Sequence, residues 1–142
     1  MAMTIRLVIP EVTGDVLLDA LGVLQSLNEL WLAKNATPET AVGLYESGVR
    51  YSRDDATEEW LPIPILYQRG VGDCEDLAAA RAALLRFTGE DPDARAFAYR
   101  SRPNTWHAVV MRGDGSIEDP SARLGMYSHR GIRPEGRFIL PR

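Results

Sequence analysis

Three residues in this chain have types and an order that suit nucleophilic chemistry. They are Cys74, His107 and Asp119, separated by 33 and 12 positions. A thiol attacks a carbonyl carbon as its thiolate, so it needs a base close by. An imidazole is such a base, and a carboxylate behind it fixes the useful tautomer and steadies the imidazolium. Cys74 is the only cysteine, and it follows Asp73 in the run Gly72-Asp73-Cys74-Glu75-Asp76. That run predicts a helix start, with Asp73 as N-cap and Asp76 as a third-position carboxylate completing a capping box. A helix N-terminus has unpaired N–H groups and positive potential, both of which favour a thiolate. The Cys74 N–H is also placed to donate to an oxyanion formed at the sulfur's target. Asp73, Glu75 and Asp76 act the other way, since like charge raises a thiol pKa. Cys74 alone is therefore expected to titrate near or above the free value of about 8.5, with His107 the main source of any thiolate.

Each residue also has a plainer role open to it. A lone cysteine is usually a small buried hydrophobe, a strand histidine is usually structural, and an Asp-Pro pair usually makes a turn. What singles them out is that the elements around them would put all three in one place. The pattern after Cys74, with Leu77, Ala80, Arg81, Leu84 and Leu85, predicts a helix to about Phe87, ended by Gly89. Its alanines, Ala78, Ala79, Ala80, Ala82 and Ala83, let neighbours approach closely and mark it as central. Residues 96–100 and 105–111 read as strands, and Arg112-Gly113-Asp114-Gly115 turns the chain back into Ser116-Ile117-Glu118. A two-residue Asp114-Gly115 turn would pair position 110 with 119 and send His107 and Asp119 to opposite faces. A triad asks instead for 107 opposite 119 and Val109 opposite Ile117, through a wider loop centred on Gly113 or a bulge with the same effect.

Earlier in the chain, Thr4–Ile9 reads as a short strand ending at Pro10. Thr13 is a cap for a long helix to about Lys34, with Leu17, Leu21, Leu24 and Trp31 on one stripe and Leu27 and Leu30 beside it. Thr37-Pro38-Glu39 predicts a second helix stopping near Ser47-Gly48. From Arg50 to Gly72 no regular pattern holds, and Pro62 and Pro64 argue against a helix there. Gly136–Leu140 suits a last short strand. Helices first and antiparallel strands second make an α+β chain, read as a single domain over 1–142.

Composition agrees with a soluble domain: 142 residues, 45% apolar, 25% charged. A net charge of −4 argues against general nucleic-acid binding or attachment to an anionic membrane. The apolar stretch Val16–Ala33 carries Asp19, Asn28 and Glu29 and is a poor membrane span. No signal peptide is expected in Met1–Pro10, and a single cysteine suits a reducing compartment, so a cytoplasmic location is expected. No metal site is expected, because Cys74, His107 and His129 lack recognisable ligand spacing, and no cofactor motif is seen.

The run Gly72-Asp73-Cys74-Glu75-Asp76-Leu77-Ala78, followed in order by His107 and by Gly115-Ser116-Ile117-Glu118-Asp119-Pro120-Ser121, resembles small bacterial and tailed-phage transglutaminase-like proteins within the papain-like cysteine protease superfamily. Ser47-Gly48-Val49-Arg50-Tyr51 and the tract to Gly70 resemble the stand-alone phage forms, so the likeness runs from Ser47 to Ser121, about half the chain. It implies a papain-like fold in which a central Cys-bearing helix packs on a C-terminal antiparallel sheet carrying His and then Asp. It also implies a thiol-dependent hydrolase or acyltransferase acting on a peptide or protein, with Cys74, His107 and Asp119 catalytic. Gln68, six residues before Cys74, has the spacing at which papain-like enzymes place an oxyanion-binding glutamine. Trp60 and Tyr67 are candidate cleft-lining residues. The chain is too short for the multi-domain animal transglutaminases. Two other readings go with the resemblance: a protein-glutamine transglutaminase or deamidase, and a non-catalytic virion or assembly component contacting phage structural proteins, located in the host cytoplasm or the virion.

Overall fold

A threonine hydroxyl opens the first long element. Thr13 Oγ1 accepts from the Val16 N–H and starts helix α1, Gly14–Asn35. The computed structural model describes residues 6, 8, 12–53, 59–103 and 105–127. The expected strands at 4–9 (Arg6 and Val8 apart) and 136–140, and His129, lie outside them.

The remaining elements are a 3₁₀ turn at Leu44–Glu46, strand β1 (Arg50–Tyr51), helix α2 (Ile63–Arg69), β2 (Val71–Gly72), α3 (Cys74–Thr88), β3 (Arg95–Arg102), β4 (Thr105–Met111), β5 (Ile117–Glu118) and helix α4 (Pro120–Arg123). Strands β3, β4 and β5 form an antiparallel sheet in that order, while β1 and β2 pair in parallel as a separate two-stranded ribbon. The arrangement is α+β.

Helix α3 lies in the middle because almost every side of it is apolar and small. Leu77, Ala78, Ala79, Ala80, Ala82, Ala83, Leu84 and Leu85 are all buried. A helix apolar all round has to be surrounded. Ala78, Ala79, Ala82 and Leu85 join α1 and the sheet in one core, with Leu17, Leu21, Leu24, Ala96, Ala98, Ala108 and Val110. Leu77, Ala80, Ala83 and Leu84 face a second core with Leu32, Leu44, Val49, Leu61, Ile63 and Leu66.

Helix α1 corrects the expected stripe. Leu17, Leu21 and Leu24 are buried, but Leu27 and Leu30 are exposed, and the inner face continues through Gln25, Asn28 and Leu32. Backbone groups meet part of the hydrogen-bonding capacity of these polar side chains, while Asn28 Nδ2 is buried with no partner among the described residues. Gln25 Oε1 accepts from Ala96 N at 2.9 Å and its amide reaches the Ala94 carbonyl, while Asn28 Oδ1 accepts from Ile63 N at 2.8 Å. By length and composition α1 would also pass for a membrane span, but here its inner face is committed to α3 and β3.

Two further expectations fail for local reasons. The helix expected from Thr37 to Ser47 is a turn followed by extended chain and the 3₁₀ turn. The Thr37 and Thr40 hydroxyls accept from each other's backbone N–H, which offers the chain an alternative to helix. The tract with two prolines does contain a helix, α2. Pro62 sits at its N-cap and Pro64 in its first turn, where no N–H is needed, and Gly70 closes it at φ +74°.

The approach to Cys74 depends on a glycine. A Cβ on Gly72 would stand 2.5 Å from Leu66 Cδ1 and 3.2 Å from Asp76 Cβ, both in buried residues. Gly72→Ala should therefore cost ~1–3 kcal/mol, as overpacked cores do. Gly22→Ala, in the open on α1, should instead gain ~0.4–1 kcal/mol. Urea denaturation of the two variants checks both signs.

Candidate active site

Helix α3 starts as its sequence dictates. Asp73 Oδ1 accepts from Asp76 N, and Asp76 Oδ2 accepts from Asp73 N at 3.1 Å, a reciprocal capping box. Asp76 Oδ1 also takes the Leu61 N–H at 2.7 Å, tying the proline-rich tract to the helix start. Burial and the nearby Asp73 charge push the Asp76 carboxyl up to about 8, against the pull of these two N–H groups.

This capped start holds the half-buried Cys74 at the edge of the first core. Its sulfur lies against the strand that carries His107: Cys74 packs on the core that includes Ala108, whose backbone N–H favours the thiolate. Strand β5 pairs with β4 only at Val110 and Met111, so it stops short of this stretch of β4. The thiol also donates to Glu75 Oε2 at 3.2 Å.

His107 is buried, and its Nε2 lies 2.8 Å from Asp119 Oδ2. Asp119 Oδ1 accepts from Ala122 N, so the same carboxylate caps α4 and holds the imidazole. Tyr99, opposite His107 in the β3–β4 register, packs edge-on to the ring at 5.8 Å. The structure thus brings His107 to Asp119, and Cys74 to the residue next to His107.

The hairpin reaches this arrangement in an unexpected register. The pairs are Val110 with Glu118 and Met111 with Ile117, so the loop is wide, as a triad requires, but centred on Asp114 rather than Gly113. Arg112 N bonds to the Ser116 carbonyl and Gly115 N to the Arg112 carbonyl within it. Asp119 is not directly opposite His107. It lies past the last pair, where the chain leaves the sheet for α4, and reaches back along the same face.

An ionic knot holds the end of the hairpin. Glu118 accepts from Arg81 Nε at 2.6 Å, from Tyr45 Oη at 2.6 Å and from Arg112 Nε at 3.2 Å. Burial opposes its charge, yet the Arg81 and Tyr45 bonds and the two arginine charges hold its carboxyl below the usual range. Arg123 stacks on Tyr45 at 3.8 Å and so draws α4 into the same knot. The residue before Asp119 is therefore locked to α3, which shortens the list of places Asp119 can be.

The thiol itself is held protonated. Burial pushes it well above its ordinary value, the Glu75 charge and hydrogen bond add to that, Asp73 adds a little, and only the Ala108 N–H works the other way. Of the three neighbouring carboxyls, Glu75 and Asp73 act on the sulfur, whereas Asp76 is turned into the backbone. Glu75 is also pushed up, to about 7, by burial and by its hydrogen bond and charge contact with Asp73. Tyr51, brought beside Gly72 by the β1–β2 pair, is raised to about 12 by burial and by the Cys74 charge. Burial, Asp119, Tyr127 and Cys74 raise Tyr99.

The weaker candidates separate. Trp60 is half-buried against the same core edge as Cys74. Tyr67 packs on the second core and donates to the Val42 carbonyl at 2.7 Å, which gives it a structural task. Gln68 is exposed on α2, not in a loop, and among the described residues it makes no side-chain hydrogen bond. A cavity of about 290 Å³ opens beside Asp73, walled by Arg53, Arg69 and Gly72 among others. Among the described residues no group of three His, Cys, Asp or Glu side chains is arranged to hold a metal ion. Tyr99 and Tyr51 were not singled out in the sequence, since only strand pairing brings them to the site.

No protein-family model matches this chain, and none of the curated proteins or solved structures compared with it matches.

The raised carboxyls make stability depend on pH. Glu75 keeps its proton in the fold up to about 7, and Asp76 to about 8, where an unfolded carboxyl has released it from 4.5 and 3.8. The fold then binds more protons than the unfolded chain across that window, so stability falls as pH rises through it. The urea midpoint should be lower at pH 8 than at pH 5. Glu75→Gln should shrink the difference by on the order of 1–3 kcal/mol.

Proposed function

We propose that this chain is a thiol-dependent acyl-transfer enzyme, a cysteine protease or amidase of the papain-like, transglutaminase-like type. The observation that supports it most is the buried His107–Asp119 pair at 2.8 Å with the Cys74 sulfur resting on the very next residue of β4. Buried polar groups are costly unless satisfied, and this pair could be replaced by two apolar side chains at little loss of packing. A catalytic task explains why it stands beside the one thiol.

In this reading Nε2–H of His107 donates to Asp119, which leaves the lone pair on Nδ1. Nδ1 takes the Cys74 proton, and the sulfur attacks the carbonyl carbon of a peptide or amide. The tetrahedral oxyanion forms at the N-terminus of α3, where the Cys74 N–H has no intrahelical acceptor. His107 then gives its proton to the leaving amine, and water releases the acyl group. Hydrolysis needs only water as the second nucleophile, whereas transamidation would need a groove for an amine. The cavity beside Asp73, with Arg53 and Arg69 on its wall, is a candidate seat for the substrate chain.

A second reading, a non-catalytic assembly component that keeps the fold, has one observation in its favour: the thiol is protonated and tied to Glu75. Reactivity separates the two. A peptide-like acyl electrophile should form a stable adduct at Cys74 in the native protein, and none in Cys74→Ala. Iodoacetamide modification of Cys74 in His107→Ala should shift to higher pH and slow by about tenfold or more at neutral pH, with a smaller shift in Asp119→Ala. An unchanged profile in His107→Ala would remove the thiol–imidazole partnership and with it the hydrolase.

A further inference from the structure

The thiol has a single proton, and in this structure it is donated to Glu75 Oε2 at 3.2 Å. The same proton is what a catalytic His107 must take. One S–H cannot serve two acceptors at once, so Glu75 and His107 compete for it. The competition has a geometric basis, because Glu75 is the next residue on α3 and is half-buried with the sulfur, away from the water that would otherwise solvate its carboxylate. Its neighbour Asp73 is committed to capping α3 and also hydrogen-bonds Glu75.

We infer that Glu75 is a built-in brake on the nucleophile: as a carboxylate it holds Cys74 as a protonated thiol and repels the thiolate, and its release hands the thiol proton to His107. This positioning role rests on the acyl-transfer reading and adds a regulatory group to the same site. The step it governs is a proton transfer. The S–H bond breaks, the proton moves to the imidazole, and a thiolate–imidazolium pair remains. While Glu75 is charged, that thiolate would lie in hydrogen-bond range of a second anion. When Glu75 is neutral, the repulsion goes and its O–H can donate to the sulfur.

The other charges near the pair do not substitute for it. Of the other two carboxyls at the helix start, Asp73 caps the helix and Asp76 is turned into the backbone N–H groups of Asp73 and Leu61. Tyr51 on β1 and Tyr99 on β3 stay neutral near pH 7, since both phenols are pushed upward. Arg53, which follows β1, acts on Tyr51 from that side. His107 and Asp119 are paired with each other on the β4 side, and Tyr127 follows α4. Glu75 itself titrates near neutrality, so the brake is set where a modest change in its surroundings, such as a bound substrate excluding water, would shift it.

The test is the pH profile of iodoacetamide modification of Cys74 in the full chain, for wild type, Glu75→Gln and His107→Ala. Glutamine keeps the shape and can still accept from the thiol, but carries no charge. Glu75→Gln should react about tenfold faster at about pH 8, where Glu75 is charged in the wild type, with its profile moved down by about one unit. A rate at or below wild type overturns the brake. Ultraviolet thiolate absorbance of the wild type gives a check that needs no variant: the signal should be absent at about pH 8, where Glu75 is charged, and a substantial thiolate there would also overturn it. The two readings fail separately. Faster Glu75→Gln with unchanged His107→Ala keeps the restraint on the thiol and removes the histidine as its partner. Unchanged Glu75→Gln with slowed His107→Ala keeps the thiol–imidazole pair and removes the brake.

Discussion

Helix α3 can be enclosed on almost every side because its faces are built largely from alanine. Large side chains all round would have held α1, α2 and the sheet too far out for two cores to share one helix. Once that helix is enclosed, its N-terminus is fixed against β4, and so is the sulfur. The alanines on β3 and β4, Ala96, Ala98 and Ala108, continue the same close approach from the other side. Ala108 is the point where packing and chemistry meet, since its side chain belongs to the core and its N–H reaches the thiol.

The acid side of the site is positioned by a different interaction. Strand β5 is only two residues long and could not by itself set the direction of Asp119. Glu118 does this, through Arg81 on α3 and Arg112 and Tyr45 around it. The carboxylate of Asp119 then divides its two oxygens between the imidazole and the start of α4. One residue thereby ends the strand, caps a helix and orients a histidine. Each task limits the side chain to nearly the same position, which is how a short hairpin fixes one carboxylate.

The charges around the sulfur oppose the effect of the helix end. A terminus contributes only ~0.3–1 kcal/mol at an exposed site. Burial together with an adjacent carboxylate outweighs it, and the result is a neutral thiol. A reactive cysteine here depends on a partner that takes the proton, not on the helix. That places the weight of the proposed chemistry on His107.

The elements nearest the candidate site were legible in the sequence because each rests on local rules. Asp73 and Asp76 had to make a capping box, Gly89 had to end the helix, and the strands around His107 followed from the aromatic residues of one and the β-branched residues of the other. The three candidate residues could be named from type and order alone. What the sequence could not decide is whatever depends on how elements meet. The inner face of α1 includes Gln25 and Asn28, whose carbonyl oxygens take backbone N–H groups from distant segments. The β4–β5 register came out one step from the expected centre, where the Glu118 knot holds the strand end through Arg81 and Tyr45, both far away in sequence. Whether Glu75 faces solvent or the thiol was likewise open, since a helix start leaves its second residue free to turn either way. In the fold it is half-buried beside the sulfur, because a side chain's partners are set by what packs around it, and only the tertiary structure supplies that.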